Sequence, residues 1–166
     1  MTNRLDYLKH ADPEPLTAMS ALSGYLHQSD LDKRLLGLIQ LRASQINGCA
    51  YCVEIHTLDL EALNEQPARL HLLPVWREAG VYTEAERAAL AWTEALTQLH
   101  AGRVMEDHYQ TLLQHYPPRT ILQITFAIVA INGWNRLSVA FGRDVGAYQP
   151  GDLDEFFEQA VAKVRA

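Results

Sequence analysis

Ile121-Leu122-Gln123-Ile124-Thr125-Phe126-Ala127-Ile128-Val129-Ala130-Ile131 is the stretch on which the fold class turns. It is apolar on nearly every side, and its β-branched residues suit a buried strand as readily as a buried helix. Its surroundings decide for helix. A lone strand in a helical chain has no partner for its backbone N–H and C=O groups, whereas a helix satisfies its own. Gln123 and Thr125 interrupt the run, which is too short to span a bilayer.

On either side the chain reads as helix after helix. One is expected from about Pro15 to Gln28, after the Asp12-Pro13 break. A second starts near Ser29-Asp30, where either residue can cap. It carries Leu31, Leu35, Leu38, Ile39 and Arg42 at helical spacing and ends near Asn47-Gly48. Cys49 opens a third, through about Leu63. Residues 68–78 read as a short helix interrupted or restarted at Pro74. Thr83-Glu84-Ala85-Glu86 is a capping box, followed by a stripe of Ala85, Ala88, Ala89, Trp92, Ala95, Leu96 and Leu99 that ends near Gly102. Helices at about Met105–His115, at 121–131, at Trp134–Phe141 and from Asp152 onward complete an all-α chain. Its 166 residues fit a single domain, 1–166.

Fourteen Lys and Arg against twenty Asp and Glu give a net charge of −6. No cationic cluster offsets it, which argues against nucleic acid and against an anionic membrane as partners. The opening residues hold no apolar signal segment, so a cytoplasmic protein is expected. Thiols there are kept reduced, so two cysteines three apart read as catalytic or metal-binding rather than as a staple.

Those cysteines lie in Asn47-Gly48-Cys49-Ala50-Tyr51-Cys52-Val53-Glu54-Ile55-His56. At roughly 100° per residue, Cys49, Cys52 and His56 fall at about 0°, −60° and −20°, on one face of a helix. Asp59 follows at about −80°, placed to orient the imidazole, while Glu54 points away. A thiol in the first helical turn meets unpaired N–H groups and the positive end of the dipole, which favour the thiolate. His56, one turn beyond Cys52, can take a proton from a thiol or deliver one to a leaving group. The dipole favours Cys49 as nucleophile and the imidazole favours Cys52, so the residues alone leave the roles open.

With Leu41-Arg42-Ala43-Ser44-Gln45-Ile46-Asn47-Gly48-Cys49-Ala50-Tyr51-Cys52 and His56-Thr57, the chain resembles the alkylhydroperoxidase D-like (AhpD-like) branch of the carboxymuconolactone decarboxylase family. Segments 72–79, 83–92 and Asn132-Gly133-Trp134-Asn135-Arg136-Leu137 extend the likeness over about residues 30–142. The resemblance implies an all-helical AhpD-like domain, a homo-oligomer (trimer or hexamer), and antioxidant hydroperoxide reduction by a redox-active Cys-x-x-Cys pair. By motif position, Cys52 attacks the peroxide and Cys49 resolves, and an external dithiol or protein electron donor restores the pair. One position departs from the pattern. A relay glutamate is expected twelve residues before the first cysteine, and Gly37 stands there. Water, Tyr51 or Asp59 could stand in, or peroxidase activity is weak; Gly37 could equally serve close helix packing.

No organic cofactor is required, and no dinucleotide or phosphate-loop fingerprint is present. Two other readings stay open. One is a thiol–disulfide oxidoreductase acting on a protein partner. The other is an oligomeric module whose thiol pair is inert or zinc-bound, although His10, His27, His71, His100, His108 and His115 show no spacing that supplies a fourth ligand. A lactone decarboxylase fits less well, because that chemistry does not need a cysteine pair. Trp134-Asn135-Arg136 could line a pocket near the thiols, or be core and surface.

Overall fold

The computed structural model describes residues 4–99 and 106–166, and among them the secondary structure is helical throughout. The chain folds into α1 (Tyr7–His10), α2 (Pro13–Gln28), α3 (Lys33–Asn47), α4 (Ala50–Ala62) and α5 (Pro67–Leu72) with a 3-10 turn at Leu73–Val75. It continues through α6 (Glu84–Thr97), α7 (Glu106–Leu113), α8 (Pro118–Phe141) and α9 (Asp154–Arg165).

Most starts follow the capping rules, with two shifts. α2 begins at Pro13, two residues earlier than expected, with proline in the first turn where its missing N–H is no loss. α3 is capped by Asp32, whose carboxylate accepts from Leu35 N at 2.8 Å. Ser29 instead closes the preceding turn by donating to Leu26 O at 2.7 Å. The capping box at Thr83 forms in both directions, Glu86 N to Thr83 Oγ1 at 3.2 Å and Thr83 N to Glu86 Oε2 at 2.7 Å. α6 runs to Thr97; its expected end at Gly102, the Met105 start of the next helix and His100 lie outside the described residues.

The 121–131 segment is helical, and it does not stop at Ile131. Asn132-Gly133 carries no break, so the two expected helices are one of 24 residues. This α8 is therefore long and apolar enough, by length and composition, to cross a bilayer. Its buried residues Ile124, Ala127, Ile128 and Ile131, with polar Gln123, Asn135 and Ser138 among them, mark it as a core helix. Leu122, Phe126 and Val129 remain exposed along its outer side.

Leu26, Leu36, Ile39, Trp92, Ile124 and Ile128 form one core between α2, α3, α6 and α8. Leu38, Leu41, Leu60, Leu73, Trp76 and Leu90 form a second, which seats α4 and the 3-10 turn against α3. Full burial of each such side chain contributes roughly 1.5–3 kcal/mol. α9 lies on α2 through Gly24, where an added Cβ would stand 2.6 Å from Val161 Cγ2 and 2.8 Å from Phe157 O. That contact brings the C-terminal helix over the end of the molecule where the cysteines lie.

Candidate active site

Gly48 adopts a left-handed conformation (φ 66°), ending α3 and turning the chain straight into α4. Cys49 is the residue that caps α4 rather than its first helical residue. Its Sγ accepts from Cys52 N at 3.3 Å, so the dipole acts on it directly. Cys49 and Cys52 are joined as a disulfide, with Cα atoms 5.4 Å apart. Each residue is only 1% exposed, packed with Ala43, Ile131, Tyr51 and Trp134.

The turn that carries the pair is held from behind. Asn47 Nδ2 donates to Asn132 Oδ1 at 3.0 Å and to Asn135 Oδ1 at 2.8 Å. Asn135 Nδ2 donates to Ser44 Oγ at 3.0 Å, and Asn132 Nδ2 to Thr97 Oγ1 at 3.1 Å. Five side chains from α3, α6 and α8 thus fix the end of α3 just before the cysteines. Asn135 belongs to this buried frame. Trp134 lines the adjoining cavity and donates to Ser23 Oγ at 3.0 Å, while Arg136 is exposed and folds back on Asn132.

A cavity of about 560 Å³ opens in front of the pair. Cys52 and His56 line it and Cys49 does not; Gly37, Tyr51, Ile131 and Trp134 contribute to the same wall. His56 is buried, and its Nε2 has no hydrogen-bond partner among the described residues. Burial, helped by neighbouring His27, pushes its pKa down to about 3, so at neutral pH it is an uncharged imidazole with a free ring nitrogen.

Asp59 does not orient that imidazole. Its Oδ1 accepts from Tyr148 OH at 2.7 Å, and no hydrogen bond joins it to His56 among the described residues. One turn of helix brings the two side chains to the same face, but Tyr148 arrives from the segment between α8 and α9 and takes the carboxylate. Burial raises the Asp59 pKa against the lowering effect of that bond. Tyr51 turns its ring toward Arg143, whose guanidinium carbon is 4.1 Å from the ring centroid. Burial raises the Tyr51 hydroxyl above its ordinary value, with Arg143 opposing the shift.

Gly37 is a packing residue. An added Cβ would fall 2.7 Å from Leu60 Cδ2 and 2.8 Å from Leu60 Cγ, so α3 and α4 meet here at a separation where any larger residue must push the Leu60 side chain aside. Among the described residues, no three His, Cys, Asp or Glu side chains gather as a metal-binding set.

Sequence reasoning missed His27, Arg143 and Tyr148, all on the cavity wall. His27 stacks on Phe157 of α9, with ring centroids 5.2 Å apart. Arg143 and Tyr148 sit in an irregular segment where no periodicity flags them.

The sequence pattern of the carboxymuconolactone decarboxylase family fits residues 13–95. The chain belongs to the carboxymuconolactone decarboxylase family. Within it, the chain is an AhpD-like protein of all-helical fold. It is similar to the uncharacterized protein YdfG of Bacillus subtilis, 34% identical over 142 residues that cover 86% of this chain and 96% of YdfG. The crystal structure of an Agrobacterium tumefaciens protein of unknown function, provisionally named as the antioxidant defence protein AhpD, superposes with a TM-score of 0.84. It is 41% identical, with 89% of this chain and all of that one covered. The debrominase Bmp8 has the same fold, with a TM-score of 0.73 at 19% identity over 90% of this chain and 77% of its own.

Proposed function

We propose that this family member is a thiol-dependent peroxidase that reduces hydroperoxides through the Cys49–Cys52 disulfide cycle. The observation that carries the reading is the asymmetry of the pair: Cys52 lines the cavity beside His56, and Cys49 lies behind it as the cap of α4. In the reduced protein, the free Nε2 of neutral His56 accepts the Cys52 proton. The Cys52 thiolate attacks the terminal oxygen of the hydroperoxide. The O–O bond breaks, the alkoxide leaves as the alcohol after taking up a proton, and Cys52 becomes a sulfenic acid. Cys49, its thiolate favoured at the helix cap, attacks Cys52 Sγ; the S–S bond forms and hydroxide leaves as water. Two electrons pass from the thiols to the peroxide, and an external dithiol returns them through Cys52, the sulfur that faces the cavity.

Gly37 does not disable this cycle. The relay implied by a glutamate on α3 is replaced by the uncharged His56 inside the cavity wall. A thiolate forming one turn away supplies the countercharge that raises the proton affinity of the imidazole when it is needed.

The alternative of disulfide exchange with a protein partner is disfavoured by burial. With both cysteines 1% exposed, a protein-borne thiol must enter a cavity to reach Cys52. Peroxide consumption with dithiothreitol, set against reduction of insulin disulfides, separates the readings. Peroxide turnover with little insulin reduction supports the peroxidase; the reverse refutes it. A cytoplasmic setting and self-association as a trimer or hexamer complete the proposal. The exposed Leu122, Phe126 and Val129 row on α8 supports the latter, and light scattering would show a monomer if it is wrong.

A further inference from the structure

Arg143 stands immediately beyond α8. The helix closes with Gly142 N and Arg143 N both donating to Ser138 O, at 2.9 and 3.1 Å, and this exit turns the arginine back toward the cavity. One guanidinium nitrogen donates to Tyr7 OH at 3.1 Å. Its carbon lies 4.1 Å from the ring centroid of Tyr51 and 5.8 Å from that of Tyr7. Two aromatic faces thus hold the cation without neutralising it. Among the described residues no carboxylate comes within 4.0 Å of it, although Arg42, Arg69, Arg77, Arg87 and Arg119 all have acidic partners at that distance. Four of its five N–H donors have no protein acceptor among the described residues.

The place of this cation matters. Arg143 lines the same cavity as Cys52 and stacks on the residue that precedes Cys52 in sequence, while Ile55, Ile131, Trp134, Phe156 and Phe157 give the cavity hydrocarbon walls. Of the carboxylates on the cavity wall, Asp59 of α4 is occupied by Tyr148, and Asp154 and Glu158 belong to α9. Asp6, Asp144 and Asp152 line the smaller recess that shares Arg143. They make the mouth acidic as a whole, so selection here comes from contact with the guanidinium and not from long-range attraction.

We propose that Arg143 is an anion-binding subsite of the cavity, selecting organic hydroperoxides that carry a carboxylate alongside an apolar or aromatic body. The carboxylate accepts from the free guanidinium donors, the body lies against the aromatic wall, and the peroxide group reaches Cys52. The substrate class rests on the peroxidase reading, whereas the anion subsite does not.

Binding and turnover therefore test the two separately, on the full chain. By calorimetry on the disulfide form, 4-isopropylbenzoate binds about tenfold tighter than the isosteric neutral 4-isopropylbenzamide, the worth of one charge-assisted hydrogen bond. Arg143→Met removes that preference, and Arg143→Lys, which keeps the charge without the fork, restores part of it. In the reduced enzyme, kcat/KM for 4-carboxycumene hydroperoxide exceeds that for cumene hydroperoxide, and the ratio falls toward one in Arg143→Met. Equal binding of benzoate and benzamide by the wild type overturns the subsite, as does a preference that survives in Arg143→Met. Should Arg143→Met not fold, equal binding by wild type and a folded Arg143→Lys would overturn it equally. A binding preference without turnover of either peroxide leaves the subsite standing and refutes the peroxidase.

Discussion

His56 is buried with a free ring nitrogen and a pKa near 3, well below the 6.5 of an imidazole in water. Between those values the unfolded chain binds a proton that the folded chain refuses, so stability falls as pH drops from about 6.5 toward 3. The slope from this one group approaches about 1.4 kcal/mol per pH unit. His56→Gln flattens that limb in urea titrations taken at pH 4 and pH 7, and an unchanged slope would mean the imidazole is not sealed in. The same substitution removes the base beside Cys52, so the thiol alkylates more slowly with iodoacetamide at pH 7 than in the wild type. Cys49 caps the helix and stays off the cavity wall, but Cys52 and His56 could be found from spacing alone, because i and i+4 put them on one helix face. The Asp59 partner could not. Its hydrogen bond comes from Tyr148, 89 positions away, and no local pattern records a contact made by an irregular segment.

At the scale of the elements, the α3–α4 elbow sets the geometry of the pair. Cys49 was expected inside the first turn of α4 and is its cap, but the hinge, Gly48, was legible as punctuation in the sequence. The asparagine frame behind it was not, since Asn132 and Asn135 reach Asn47 only once α8 lies across α3. Asn135→Leu removes two hydrogen bonds, the one it accepts from Asn47 and the one it donates to Ser44, and should cost about 1–3 kcal/mol, read as a lower urea midpoint. Gly37 tests the packing of the same elbow. Gly37→Ala forces Leu60 aside and costs about 1–3 kcal/mol, and pairing it with Leu60→Ala recovers part of the loss if the two contacts are coupled. Purely additive effects would contradict that account. The long apolar run was correctly read as helix from backbone accounting. Its length was misjudged because Asn132-Gly133 looks like a stop, yet both residues stay helical, with the Asn132 side-chain amide donating to Ile128 O.

For the whole molecule, the fold closes one end around a cavity that local patterns could not reveal. α2, α4, α8 and α9 contribute its walls, and α9 is seated by the Gly24 contact. Gly24→Leu should lift α9, lower the melting temperature and red-shift the Trp134 emission as water enters. Emission identical to wild type would show that α9 does not seal the cavity. All-α architecture and family membership were readable in the chain because they rest on capping, spacing and a long motif. The cavity was not, because residues as distant as His27 and Phe157 meet only in the assembled bundle.

In the proposed cycle Cys52 attacks a peroxide and Cys49 resolves it. The direct measurement is intact mass after one equivalent of cumene hydroperoxide with dimedone present, on reduced Cys49→Ser and Cys52→Ser. One dimedone adduct is expected on Cys49→Ser, none on Cys52→Ser, with loss of steady-state peroxide turnover in both. An adduct on Cys52→Ser alone, or turnover that survives in either variant, would contradict it.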